Sequence, residues 1–414
     1  FKFIDIYKNH DFGHFYISFP AVLFVSKLFF QNVPFPFSPH CHPRLSMLHC
    51  FYHNSEKEDP LMDSEHFYLE EGFPFHGRKL EKLKVFLSQN DLSYDTQIQY
   101  TVLLKTQDGE LAGCGSRHKN TLKCIAINPK FQGEGCLSLL MTQLIKNAAA
   151  EGLSHLFLFT KPMYLQMFSD MGFYPITQTK DMLLMENRRD GIREYVTREA
   201  ALSPAKEGKR IGAIVMNANP FTNGHRYLVK TAAAMCDLLH VFVLSADSSE
   251  FPADIRLKLV KEGCTDFPNV QVHGSSEYLI SHATFPDYFL KDKATVSDKT
   301  ALLDLMIFGT YFKEAFHITR RFVGEEPFSA ITKAYNEQMK KTLPVYGIEV
   351  TEIPRCAYQD TIISATFVRK KFLSKNPEDL KELENFVPET TYAFLISPEG
   401  QRLKQQLAAT GDLS

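Results

Sequence analysis

The chain of 414 residues contains no tryptophan, and its 46 Lys and Arg against 48 Asp and Glu leave a net charge of only −2. The balance excludes a whole-molecule field for nucleic acid or an anionic membrane surface. Its 8 cysteines are scattered, with no C-x-x-C pair. That excludes a small disulfide framework and fits a reducing cytoplasm. Apolar runs are short as well. Phe15–Phe30 falls below the ~20 residues a bilayer span needs. It is also interrupted by Ser18, Pro20, Ser26 and Lys27 and lacks a clear small-residue cleavage site.

What is abundant is phenylalanine, 35 residues, crowded with histidine between Phe1 and His53. This stretch is unlike the rest, and the first Met is Met47. We expect residues 1–65 to be a disordered extension, with the true start at Met47 or Met62. His40, Cys41, His42, His49, Cys50 and His53 are of the types that hold zinc, but their spacing matches no common finger. No metal site is expected there.

Beyond it the length predicts two or three domains. From 66 to 187 the pattern reads as a helix over Leu80–Leu92, strands over Ile98–Leu104 and Leu111–Ser116 joined across Asp108-Gly109, and a strand over Leu122–Ile127. A loop, Gln132-Gly133-Glu134-Gly135, then opens a helix running to Ala150. A strand over His155–Phe159 and a helix over Pro162–Met171 follow. N–H groups of Gly133 to Gly135 at a helix start suit a phosphate. Residues 188–209 read as a charged linker with a short helix over Gly191–Ala201.

From 210 to 395 strands and helices alternate, which argues for a parallel sheet with helices on both faces. The pivotal stretch is Ile211 to Leu228, IGAIVMNANPFTNGHRYL. An apolar strand, a tight turn with Asn219 and Phe221, and a helix start carrying Thr222, Gly224 and His225 aim N–H groups and a helix dipole at one point. Far downstream, Ile363-Ser364-Ala365-Thr366-Phe367-Val368-Arg369 places a second helix start beside an arginine. Arg256, in Phe251-x-x-x-x-Arg256, is a further phosphate candidate. A strand is expected over Ala315–Thr319, another over Ile348–Ile353, and a tail over 396–414. Cys236 falls on an apolar helix and reads as core.

Thr222-x-Gly224-His225 followed by the Ser364–Arg369 stretch resembles the two signatures of the nucleotidyltransferase superfamily, with Ala365 in place of a serine. The wording NANPFTNGHRYL, SEYLISHATFP and RFVGEEPF narrows the resemblance to the [citrate (pro-3S)-lyase] ligase family, over roughly Lys79 to Phe394. The first domain resembles the GNAT acetyltransferase fold, with Gln132 and Gly135 matching its Q-x-x-G-x-G/A loop but Leu137 in the last position.

These resemblances imply an α/β protein: a GNAT-like α+β domain, then a Rossmann-like parallel-sheet nucleotidyltransferase domain. They imply ATP as substrate and Mg²⁺ on its phosphates. Acetate would attack the α-phosphorus, and the acetyl-adenylate would pass to the thiol of the citrate lyase acyl carrier subunit, which ends a dephospho-CoA-derived arm. In this reading His225, Thr222 and Arg369 act on the phosphates. Asn219, Phe221, Gly224, Arg256, Ser364 and Thr366 complete the ATP site, and Gln132, Gly133 and Gly135 hold the arm. Competing readings are a phosphopantetheine-type adenylyltransferase and a non-catalytic nucleotide and coenzyme A sensor. No general base for acetyl transfer stands out in the first domain, where Glu134 and Tyr164 are only suggestive.

Overall fold

A computed structural model describes residues 66–203, 209–245, 249–274, 277–279, 296–327, 329–359 and 361–410. The histidine–cysteine cluster, the proposed extension and most of 275–300 lie outside the described residues.

The first unit is a seven-stranded sheet in the order β1-β2-β3-β4-β5-β7-β6. Its strands are β1 (Phe67–Gly72), β2 (Tyr100–Thr106), β3 (Leu111–His118), β4 (Thr121–Ile127), β5 (Phe157–Thr160), β6 (Tyr174–Gln178) and β7 (Leu183–Glu186). Helix α1 (Gly77–Gln89) covers one face, while α2 (Cys136–Ala150) and α3 (Leu165–Ser169) cover the other. The helix expected over Pro162–Met171 is shorter because Pro162–Tyr164 forms a 3₁₀ turn first. Strands β1 and β7 had no clear signal in the sequence.

β4 and β5 are parallel and pair only at Thr121–Phe157 and Leu122–Leu158. Beyond that point the two strands separate, and the sheet opens between them.

The stretch expected to be a linker is a packed element. Helix α4 (Gly191–Ala201) buries Ile192 and Val196 in a core shared by both units. Its first residue must be small. A Cβ on Gly191 would lie 2.2 Å from a Glu186 carboxylate oxygen and 2.8 Å from the Tyr278 hydroxyl.

The second unit holds β8 (Ile211–Met216), α5 (Asn223–Ala234), β9 (Leu238–Val243), α6 (Ala253–Gly263) and β10 (Val270–Gly274). It continues with α7 (Val296–Ile307), α8 (Lys313–Phe316), β11 (Arg320–Gly324), α9 (Ala330–Thr342) and β12 (Glu349–Ile353). Its five strands are all parallel, in the order β10-β9-β8-β11-β12. The order reverses between β8 and β11, so the crevice beyond their carboxyl ends is where a ligand belongs.

The strand expected over Ala315–Thr319 is corrected. Residues 313–316 end a helix, His317 takes φ 56°, and the strand begins at Arg320. Phe308, Phe312 and Phe316 explain the misreading. They stack along one side of the helical segment, with ring centres 5.7 and 6.1 Å apart.

After β12 come α10 (Ala365–Leu373), α11 (Pro377–Glu382), α12 (Glu389–Ile396) and α13 (Pro398–Thr410). The expected tail from 396 is therefore a helix over most of its length. Leu403 enters the core, and Lys404 Nζ donates to the Ser374 carbonyl at 2.7 Å. Cys236 is buried as expected, and burial pushes its thiol up to about 11.

The two units share more than a core. Glu186, 2% exposed, accepts from the Tyr278 hydroxyl, from His155 Nε2 at 2.7 Å and from the Ile192 N–H at 3.0 Å. Tyr311 donates to the Ile176 carbonyl at 2.7 Å. Tyr278→Phe removes one donor from a buried carboxylate. We predict a loss of about 1–3 kcal/mol in urea unfolding; a loss below about 0.5 kcal/mol would mean that the contact contributes little.

Candidate active site

The turn after β8 is held from behind by Arg256, which is fully buried. Its Nε donates to the Phe251 carbonyl at 2.8 Å. Its Nη1 reaches the Asn217 carbonyl at 2.8 Å, Asn217 Oδ1 at 2.7 Å and the Leu244 carbonyl at 2.6 Å. The guanidinium thus ties the ends of β8 and β9 together, and this position departs from the expected phosphate contact. Phe221 is likewise fully buried, and a Cβ on Gly263 would sit 2.6 Å from its ring. It acts as a wedge under the turn, stacked beneath His225 with ring centres 6.0 Å apart. The peptide between Asn219 and Pro220 is cis.

Helix α5 starts with a reciprocal cap. Thr222 Oγ1 accepts from the His225 N–H at 3.3 Å, and His225 Nδ1 accepts from the Thr222 N–H at 3.1 Å. With Nδ1 accepting, a neutral ring carries its proton on Nε2. Burial pushes the His225 pKa from 6.5 down to about 4, and the charge of Arg355 adds to the shift. At neutral pH the residue is therefore an uncharged N–H donor at a helix N-terminus.

The second motif meets the first. Ser364 caps α10 by accepting from the Phe367 N–H at 3.1 Å. A Cβ on Gly224 would lie 3.1 Å from the Ile363 carbonyl, so glycine lets the two helix starts approach. Arg369 Nη1 donates to the Asn219 carbonyl at 2.7 Å, across 150 residues of chain, and Nη2 lies 3.4 Å from Thr366 Oγ1. Glu250 completes the joint: it pairs with Arg369 Nε at 2.7 Å and accepts from Asn219 Nδ2. Thr366 is exposed and Ser364 half-buried, so this end faces outward.

Sequence reasoning missed two residues. Glu250 stands immediately before the Phe251-x-x-x-x-Arg256 stretch, and only that adjacency hinted at it. Arg355, beyond β12, donates to the Glu325 carbonyl at 2.7 Å and pairs with Glu326. Its charge acts on His225, helping to hold the ring's pKa down.

A second candidate pocket lies in the first unit, where β4 and β5 separate. It encloses about 430 Å³ and is lined by Ile127, Phe159, Leu137, Tyr164 and the loop residues Gln132, Gly133 and Gly135. Gly133 and Gly135 hold φ of 89° and 71°, a region that favours glycine. Leu137 is one of its lining residues. The arrangement suits a long, thin ligand with an anionic end at the α2 N-terminus.

A parallel sheet with two capped helix starts at its switch point defines a Rossmann-like α/β unit, here joined to a GNAT-like unit. Residues 211–395 match the family profile described as citrate lyase ligase C-terminal domain, and residues 64–182 match the acetyltransferase (GNAT) domain. The chain is 42% identical over 324 residues to the [Citrate [pro-3S]-lyase] ligase of Escherichia coli (strain K12), covering 77% of this chain and 90% of that protein. It is 43% identical over 321 residues to the Klebsiella pneumoniae protein of the same name, covering 76% and 92%. For the Haemophilus influenzae protein of that name the identity is 39% over 324 residues, covering 77% and 95%. The chain belongs to the citrate lyase ligase family.

Glu250→Ala frees Arg369 from the joint, so we expect ATP affinity to fall by roughly tenfold or more, with Glu250→Asp partly restoring it. Unchanged affinity by calorimetry would contradict the geometry. The His225 shift also makes a pH prediction. A ring held at about 4 instead of 6.5 adds stability that is complete above pH 6.5 and lost as pH falls toward about 4. Wild type should lose more stability than His225→Gln between about pH 7 and pH 4.5 in thermal melts. Equal losses would mean that the ring is not desolvated.

Proposed function

We propose that the protein joins acetate to the thiol of an acyl carrier subunit of citrate lyase at the cost of ATP, through an acetyl-adenylate. The observation that carries this reading is the contact between the Thr222–His225 and Ser364–Arg369 segments. One triphosphate can lie across both helix starts. An acetate oxygen attacks the α-phosphorus, the bond to the bridging oxygen breaks, and pyrophosphate leaves. The thiol then attacks the acetyl carbonyl, giving a thioester, AMP and a proton.

The protein's part in the first step is electrostatic: donors fixed before the charge develops. His225 Nε2–H and the α5 start face the α- and β-phosphates. Ser364, Thr366 and the remaining N–H groups of Arg369 face the β- and γ-phosphates. Asn219, Phe221, Gly224 and Arg256 give this cradle its shape. Mg²⁺ would neutralise phosphate charge. Among the described residues no group of three His, Cys, Asp or Glu gathers as a cage. That fits an ion carried largely by phosphate and water oxygens.

The carrier's dephospho-CoA-derived arm would lie in the cleft between β4 and β5, its pyrophosphate on the Gln132–Gly135 loop. No described helix is long and apolar enough to cross a membrane. The described cysteines are free thiols, which suits the cytoplasm.

Mixing protein, ATP, Mg²⁺ and labelled pyrophosphate should put label into ATP only when acetate is present. Exchange that instead requires phosphopantetheine would replace this reading with nucleotide synthesis. His225→Ala should abolish exchange while keeping measurable ATP binding. Gln132→Ala with Gly135→Asp should raise the KM for the carrier and leave acetate-dependent exchange intact. Unchanged carrier kinetics would remove the arm from the cleft.

A further inference from the structure

The cleft where β4 and β5 part carries a single charge. Every residue on its wall is apolar or uncharged except Lys161. Strand pairing explains its place. β5 is bonded to β4 only at Phe157 and Leu158, so Phe159, Thr160 and the residue after the strand border the opening on that side. Lys161 is that next residue. Its carbonyl accepts from the Tyr164 N–H at 3.0 Å, and Pro162 begins the turn, so its backbone is fixed beside the opening.

The Lys161 side chain is half-buried, and among the described residues no carboxylate pairs with it. Other charges around the loop do not help an anion there. Lys130, two residues before Gln132, is paired with Glu110 at 2.7 Å. Glu134 is exposed and does not line the cleft, but its charge reaches a residue that does: burial, and then Glu134, push the Cys136 thiol up. An anion on the loop N–H groups therefore meets a carboxylate as well as a helix start, and needs a positive charge from elsewhere.

An unpaired ammonium among apolar walls carries a desolvation cost that an anion would offset. Lysine is a compact point charge on a flexible stem. That serves a phosphate group, whereas a planar carboxylate is better matched by arginine. With one charge on an otherwise uncharged wall, the cleft suits an uncharged chain with one anionic segment.

We propose that Lys161 is the counter-ion of the diphosphate in a nucleotide-linked pantetheine arm, offsetting the repulsion of Glu134. This rests on the arm reading above and names the residue that selects for the diphosphate. Calorimetric titration with dephospho-coenzyme A, and with pantetheine, which lacks the diphosphate, tests it. Lys161→Gln should weaken dephospho-coenzyme A binding by roughly tenfold or more and Lys161→Arg by less than about threefold, with pantetheine binding within about twofold in both. Equal binding of dephospho-coenzyme A by Lys161→Gln and wild type, or an equal loss for both ligands, would overturn the proposal. If the variant does not fold, the wild type decides. Raising sodium chloride from about 0.05 to about 0.5 M should weaken dephospho-coenzyme A binding several-fold and leave pantetheine binding unchanged; no salt dependence, or no binding at all, would overturn it. The carrier separates the two readings. If Lys161→Gln loses dephospho-coenzyme A binding but keeps the wild-type KM for the carrier, the arm leaves the cleft and the anion site stands. If Gln132→Ala with Gly135→Asp raises the carrier KM while Lys161→Gln alters neither that KM nor dephospho-coenzyme A binding, the arm reading stands and the Lys161 contact is discarded.

Discussion

The structure depends on one joint: the Glu250–Arg369 ion pair, seated on Asn219, that bolts the helix start at 364 to the helix start at 222. Each helix N-terminus alone is a weak anion site. Here two of them meet at the switch point of a parallel sheet. Gly224 is the spacing constraint, because any larger residue would push Ile363 away. The neutral His225 follows from the same closeness. Its ring is desolvated between Phe221 and the crevice wall, so it offers a hydrogen bond without paying to bury a charge.

Much of this was legible in the sequence because it is local. The span read for α4 is the one observed, and β8 is unmistakable as an apolar run before a turn. Thr222 and Ser364 announce helix starts by their chemistry. What stayed hidden was tertiary. Nothing in the primary sequence says that Arg256 would spend its guanidinium on carbonyls, or that Glu250 would hold Arg369. Strand β11 was misplaced because its signal is inverted: a cation, Arg321, occupies a core-facing position, while the apolar residues before it belong to a helix end. The helices α7, α9 and α11–α13 drew no expectation, and α13 was taken for a tail because its one buried leucine sits among polar residues.

The two units are not beads on a string. The supposed linker is a helix in their common core, and Tyr278 from the second unit buries its hydroxyl on Glu186 of the first. The cleft between β4 and β5 and the paired helix starts at 222 and 364 are thereby held in one framework. That is the arrangement expected if a thiol-bearing arm held by one unit is to meet an activated acid made by the other.

The most direct test is a crystal structure with a non-hydrolysable ATP analogue and Mg²⁺. The account predicts a single triphosphate spanning both helix starts, with His225 Nε2 and Arg369 each within hydrogen-bonding distance of a phosphate oxygen. A triphosphate that touches only one of these segments, or that sits on the Gln132–Gly135 loop, would contradict it.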